Sequence, residues 1–383
     1  MSAPITAPRV VVAGGHSAGH IEPAMNFADA LRRLDATAEI TALGTERGLD
    51  TTLIPARGYQ LELIPPVPLP RRLNRALLGV PSRLVASVSA AGEVLERVRA
   101  EVVVGFGGYV AMPAYMAAKR CRIPIVVHEA NARPGVANRV AARMTTHVFT
   151  ASAAVHLQHA TPIGIPLRPA IANLDRTALR AEARERFGLD PDGPVLMVTG
   201  GSQGARAINW AVSESAGLLR AAGVQVLHII GPQNVLEVPG VPGRAAYVVV
   251  PYVDDMQYAY AAADFVLCRS GAMTCAELGA VGLPAVYVPL PLRGGEQRLN
   301  AEPIVAAGGG LLVDNDDLSP TWIAEHLVPC ITDPKRVAAM SRAAAHAGAR
   351  DADIVLAKHV LNVVAEYRRF AGGEHGSGAR RQQ

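Results

Sequence analysis

Lysine is nearly absent from this chain, occurring only at Lys119, Lys335 and Lys358, so the net charge of +4 rests almost wholly on arginine. A balance of that size does not mark a nucleic-acid binder, and none is expected as a partner. Cysteine is scarce too. Cys121, Cys268, Cys275 and Cys330 have no CxxC spacing and no cluster with histidine, so they read as reduced, mostly buried thiols. The N-terminus lacks a basic stretch followed by an apolar run, so no signal peptide is expected. The longest apolar stretch, 278–292, is broken by Pro284, Pro289 and Pro291, which excludes it as a membrane span. The expected location is cytosolic, or on a membrane face without crossing it. Aromatic residues make up only 4%, and there is no short repeat of the collagen or coiled-coil kind. With 50% hydrophobic residues the chain is globular, and its 383 residues suggest two domains with full cores.

Short β-branched runs alternate with alanine-rich amphipathic runs. Strands are expected over 9–13, 39–43, 60–64, 101–105, 123–128 and 147–150, with helices between them, for example over 21–34, 110–119 and 134–143. Near-continuous Val/Ile strands point to a parallel sheet covered on both faces. The pattern restarts after a proline-bearing stretch at 163–174. A helix follows over 176–187, with Asp175 as N-cap and Gly188 as stop. Further strands are expected over 195–199, 225–230, 246–250, 265–268, 285–289 and 311–313, again alternating with helices. Two βα-repeating halves joined near residue 170 account for this order.

In open α/β sheets, ligands lie at the carboxyl ends of strands, where loops turn into helices. The first such loop, Gly14-Gly15-His16-Ser17-Ala18-Gly19-His20, fits neither a dinucleotide fingerprint, because His16 takes the middle glycine's place, nor a P-loop. Gly105-Phe106-Gly107-Gly108-Tyr109 and His128-Glu129-Ala130-Asn131 follow later strands. Any one of these also reads as an ordinary βα turn. In the second half come Gly200-Gly201-Ser202-Gln203-Gly204 and Arg269-Ser270-Gly271-Ala272-Met273-Thr274-Cys275-Ala276-Glu277. Ser270 and Gly271 stand where a helix begins, so their N–H groups suit a diphosphate. Thr274 and Glu277 continue that helix face, and the carboxylate suits the two hydroxyls of a ribose. The bland reading is a cap followed by a solvated Glu. Gln297 and Asn300 offer neutral amides, which suit sugar hydroxyls.

The combination of RSGAMTCAE, GGSQGA and HEANARPG resembles the MurG family of glycosyltransferases, from the GGHSAGH loop to the GEQRLNA helix. That family transfers N-acetylglucosamine from UDP-GlcNAc to lipid I, the undecaprenyl-diphospho-MurNAc-pentapeptide, making lipid II for peptidoglycan. The resemblance implies an α/β GT-B fold, two Rossmann-like domains facing across a cleft. Residues 1–168 would form the acceptor and membrane-facing domain and 169–350 the UDP-GlcNAc-binding domain. Residues 351–370 would form a final helix packing back toward the first, and 371–383 a disordered tail. It also implies that Ser17, Ala18, Gly19 and Asn131 contact the GlcNAc or diphosphate, that Arg168 faces a phosphate, and that Ser202 belongs to the second glycine loop. Val253 would read uracil through its backbone, Glu277 would bind ribose and Gln297 the GlcNAc. Gly107, Gly108 and Tyr109 would form an acceptor loop. Two departures stand out: His16-Ser17 replaces the family's Gly-Thr, and Ile165 replaces an Asn before the Pro.

Inversion at the anomeric carbon needs a base for the acceptor hydroxyl and a cradle for the departing diphosphate. His20 is the first candidate base, with a purely structural histidine as the alternative, and Glu129 is its rival. Helix N-termini at Ser202 and Ser270, with Arg168, would hold the leaving group, so no metal or other cofactor is expected and activity should survive EDTA. The DxD patterns at Asp190/Asp192, Asp314/Asp316 and Asp351/Asp353 read as helix caps. A membrane patch is expected within 70–85, where Arg72 and Arg75 alternate with Leu77, Leu78 and Val80 toward an anionic surface; a solvated helix covering the core is the alternative. Rival readings are a UDP-sugar 2-epimerase of the same architecture, a nucleotide-sugar sensor, and an NAD-dependent oxidoreductase.

Overall fold

The structure, a computed structural model, describes residues 7–67, 79–291 and 294–377, with side chains as far as Phe370. The chain divides into two compact units, Met1–Pro166 with Asp351–Gln383, and Leu167–Arg350.

In the first unit, β1 (Arg9–Gly14), β2 (Glu39–Gly44), β3 (Gln60–Leu63), β4 (Val102–Gly107), β5 (Ile125–Glu129), β6 (Val148–Thr150) and β7 (Ala160–Pro162) alternate with α1 (Ala18–Leu34), α2 (Asp50–Ala56), α3 (Val80–Arg97), α4 (Ala111–Arg120) and α5 (Val136–Ala141). The sheet is parallel, in the order β3-β2-β1-β4-β5-β6-β7. Successive side chains of a strand point to opposite faces. Val10 and Val12 therefore enter a core with Ile21, Phe27 and Leu31 of α1, while Val11 and Ala13 enter a second core with Leu95, Ala114 and Tyr115. That two-sided burial is why β1 reads as an unbroken apolar run. The short β7 was not expected from the sequence.

The second unit repeats the plan. It runs α6 (Pro169–Ala172), α7 (Arg176–Arg186), β8 (Val195–Thr199), α8 (Arg206–Glu214), α9 (Ala216–Ala221), β9 (Gln225–Ile229), β10 (Tyr247–Val250), α10 (Met256–Ala262), β11 (Phe265–Cys268), α11 (Ala272–Val281), β12 (Ala285–Tyr287), α12 (Glu296–Ala306) and β13 (Gly310–Leu312). Then follow α13 (Pro320–Trp322), a π-helical turn (Ile323–Leu327), α14 (Val328–Ile331) and α15 (Pro334–Ala347). The parallel sheet has the order β10-β9-β8-β11-β12-β13. Asp175 caps α7, accepting from the N–H groups of Thr177 and Ala178, and Gly188 ends it at φ +65°. All four cysteines are free, and Cys268, Cys275 and Cys330 are buried.

The last helix, α16 (Ala352–Ser377), belongs to the first unit. Leu356, Val360, Val363 and Val364 join the α1 core, and Asp353 pairs with Arg33. Of the tail expected over 371–383, residues 371–377 continue α16 and 378–383 lie outside the described residues. Of the expected membrane patch, Arg72, Arg75, Leu77 and Leu78 lie outside the described residues, and Val80 opens α3, half-buried.

In each unit the strand order reverses beside the first strand, between β1 and β4 and between β8 and β11. Loops leaving those strands diverge there and open a crevice. Four of the glycine loops leave these strands, and the loop carrying Asn131 leaves β5 next door.

Candidate active site

After β1 the chain turns through Gly15, His16 and Ser17 into α1. Asp50, fully buried at the start of α2, sets this turn from behind by accepting the N–H groups of His16 and Thr45. His16 sits at φ +78°, a left-handed backbone that costs a non-glycine residue about 1–2 kcal/mol. The Asp50 bond and an edge-on contact with Tyr109, ring centroids 4.9 Å apart, offset that cost. Here His16 replaces the glycine of the resembling family. Ile165, the other departure, is buried and brings no polar contact.

Ser17 has the backbone of an N-cap, but its Oγ bonds Nδ1 of His20 at 3.0 Å instead of a backbone N–H. Ala18 and Gly19 form the first turn, and a Cβ on Gly19 would meet only Ser17 Oγ, at 4.0 Å. β4 runs on to Gly107, past its expected end at Gly105. Gly107 and Gly108, at φ +91° and +81°, turn it back onto the first loop. A Cβ on Gly108 would lie 2.5 Å from the Gly15 carbonyl oxygen, and one on Gly107 would lie 3.2 Å from His20 Nε2. The fold thus gathers Ser17, His20, Gly107, Gly108 and Tyr109. Burial lowers the His20 pKa below 6.5; His16 adds to this and Asp50 opposes it. The ring is therefore neutral at pH 7. The tautomer that donates from Nδ1 to Ser17 Oγ keeps Nε2 basic, on the side of Gly107.

Glu129 is not a loop residue. It ends β5 and is buried. Its Oε1 accepts the Asn131 N–H, and its Oε2 accepts the Gly135 N–H and Asn138 Nδ2, each at 2.9 Å. Asn138 accepts in turn from the Tyr115 phenol at 2.7 Å. Converging donors make Glu129 a brace for the loop carrying Asn131. Glu129→Gln turns one acceptor into a donor facing donors. It should lower the stability of the first unit by about 1–3 kcal/mol in urea titration and leave the acidic limb of the pH–rate profile in place. An unchanged urea midpoint with that limb gone would restore Glu129 as the base.

In the second unit, the loop after β8 exposes Ser202, and Thr199 Oγ1 accepts the Gly201 N–H at 3.1 Å. Gly204 has to lack a side chain, since a Cβ there would fall on the Ile230 carbonyl. Ser270 is fully buried before α11, its Oγ lacks a hydrogen-bond partner, and Gly271 is the N-cap residue. Thr274 and Glu277 lie half-buried on α11. Asn300 Nδ2 donates to the Ser270 carbonyl at 3.3 Å, and Gln297 Oε1 accepts the Leu290 N–H at 2.9 Å, so α12 is tied to the loops at this end of the sheet. An uncapped helix start beside an orphaned, buried hydroxyl suits an anion. Val253 lies in the loop between β10 and α10, half-buried against the core. Arg168, the exposed N-cap residue of α6, starts this unit, and α6 packs against α11.

Sequence reasoning missed Asp50, Tyr115, Asn138 and Tyr260. Only Asn138 carried a signal, as a polar residue on the inward face of a short helix. The others are long-range partners that no local pattern reveals.

Residues 10–150 match the glycosyltransferase family 28 N-terminal domain, and residues 195–355 match the glycosyltransferase family 28 C-terminal domain. The chain is 58% identical over 357 residues to the UDP-N-acetylglucosamine--N-acetylmuramyl-(pentapeptide) pyrophosphoryl-undecaprenol N-acetylglucosamine transferase of Thermobifida fusca, covering 93% of this chain and 94% of that one. It is 57% identical to the protein of the same name from Streptomyces avermitilis, covering 94% and 99%. The crystal structure of Acinetobacter baumannii MurG superposes with a TM-score of 0.75 at 24% identity, over 94% of this chain and 99% of that one, and shares the GT-B fold.

Proposed function

The chain belongs to glycosyltransferase family 28 and, within it, to the UDP-N-acetylglucosamine--N-acetylmuramyl-(pentapeptide) pyrophosphoryl-undecaprenol N-acetylglucosamine transferases, and from that premise we propose how its residues carry the reaction. The enzyme moves GlcNAc from UDP-GlcNAc to the 4-hydroxyl of the MurNAc-pentapeptide in lipid I, with inversion, giving lipid II for peptidoglycan. The first unit takes the acceptor and the second takes the donor. The observation that carries this reading is the His20 ring, held at Nδ1 by Ser17 Oγ with Nε2 turned toward Gly107.

The acceptor hydroxyl attacks the anomeric carbon from the face opposite the diphosphate, and Nε2 of His20 takes its proton. The bond from that carbon to the phosphate oxygen breaks, and its electron pair leaves on UDP. N–H groups at the start of α11 and in the turn after β8 receive the developing charge, with Ser202, Ser270, Gly271, Thr274 and Arg168 around the diphosphate. Glu277 accepts the ribose hydroxyls, the backbone at Val253 reads uracil, and Gln297, Asn300 and Asn131 hold the sugar. The test is incubation with radiolabelled UDP-GlcNAc and a lipid I analogue, followed by chromatography. Label should move to the lipid; label recovered only as an epimerised nucleotide sugar would sink the reading.

Attachment to the cytoplasmic membrane surface belongs to the same proposal. The acceptor is a membrane lipid, and among the described residues no helix is long and apolar enough to cross a membrane. Changing Leu77, Leu78 and Val80 to Ser should reduce sedimentation with anionic liposomes, and unchanged sedimentation removes that patch from the account.

A further inference from the structure

Tyr260, near the end of α10, is buried to 2% exposure, and its phenol donates to Oε2 of Glu277 on α11 at 2.6 Å. A half-exposed glutamate on a helix ordinarily samples several rotamers, and ordering it costs side-chain entropy. Here the carboxylate is gripped from the core side. The grip is itself anchored. Arg176 Nε donates to the Tyr260 carbonyl at 3.1 Å and Nη1 to the Gly282 carbonyl at 3.3 Å, while Nη2 reaches the Ala263 carbonyl. One guanidinium thus holds the C-terminal ends of both α10 and α11, where the helix dipoles favour a cation. Phenol and carboxylate are therefore fixed relative to each other by the backbone beneath them. Burial, and then the charge of Glu277, push the Tyr260 pKa far up, so the phenol remains a donor throughout the working pH range.

We propose that Tyr260 is a positioning residue that fixes the Glu277 carboxylate for the ribose of the donor nucleotide, so that the enzyme's preference for ribose over 2′-deoxyribose depends on a phenol the nucleotide does not touch. This rests on the reading of Glu277 as the ribose acceptor. Ribose contacts are remote from the anomeric carbon and act alike on bound substrate and transition state, so the loss falls on KM and not on kcat.

The experiment compares UDP-GlcNAc with its 2′-deoxyribose analogue as donors for the wild type, Tyr260→Phe and Glu277→Ala, with thermal midpoints measured alongside. Tyr260→Phe keeps the ring and removes only the hydroxyl. It should raise KM for UDP-GlcNAc about tenfold, leave kcat within about twofold, and lower kcat/KM for the deoxy donor by only about threefold, since that donor keeps just its 3′-hydroxyl on Glu277, so that ribose preference falls about threefold. Glu277→Ala should abolish that preference. If Glu277→Ala abolishes it while Tyr260→Phe keeps it, or weakens both donors equally in step with a lowered midpoint, Tyr260 is only structural and the positioning role is overturned. If Glu277→Ala keeps the preference, the ribose reading itself fails and this inference falls with it.

Discussion

His20→Ala is expected to lower kcat by about 100- to 10,000-fold, the range for removing a positioned general base. KM for UDP-GlcNAc should stay within about twofold, because the donor contacts assigned to the second unit remain. The pH profile separates a base from a structural histidine. A base works only when unprotonated, and burial holds the His20 pKa below 6.5. Wild-type kcat/KM should therefore be flat through neutrality and fall only at a pH below 6.5, as the ring takes up a proton. In His20→Ala that acidic limb should vanish along with most of the rate. Ser17→Ala, which removes the Nδ1 partner 3.0 Å away, should give a smaller loss with the limb retained. Turnover of His20→Ala at the wild-type rate would end the assignment.

Arg184→Met is expected to destabilise the second unit by about 3–5 kcal/mol, as when one member of a buried pair is removed. Arg184 is 1% exposed, and its guanidinium donates to the carbonyls of Asp190, Pro191, Gly193 and Ala262 and to the carboxylate of Asp264. It stitches the turn before β8 to the link between α10 and β11. Methionine replaces only the aliphatic stem; it removes a donor from each of four carbonyls and leaves Asp264 with the Arg180 guanidinium in place of two. For a unit of this size the thermal midpoint should drop by about 10 °C. Arg180→Met is the comparison. Arg180 binds the same carboxylate but is 37% exposed, so its loss should be below about 1 kcal/mol. Equal effects from the two variants would refute the assignment of the stability to burial at Arg184.

The helix that carries these two arginines marks where local pattern stops informing. In RTALRAEARER the cap at Asp175 and the stop at Gly188 were legible, because both act within a few residues of themselves. Which arginine would be buried was not, because burial of Arg184 depends on a carbonyl 78 and a carboxylate 80 positions away. Glu129 makes the same point at the site. Its neighbours in sequence placed it in the loop that follows a strand and carries Asn131, and only the tertiary structure ended β5 on it and turned it inward onto Asn138.

The sequence by itself determined the alternation of strands and helices, the two parallel sheets, the glycine loops and, through the RSGAMTCAE combination, the family. These follow from short-range periodicity and from residues whose backbone freedom or cap chemistry is local. Tertiary structure alone decided that Asp50 would set the His16 turn, that Glu129 would brace its loop through Asn138, and that Tyr260 would grip Glu277. Each of those roles is a hydrogen bond between separate elements or loops, and its strength and direction exist only once their packing has fixed the distance.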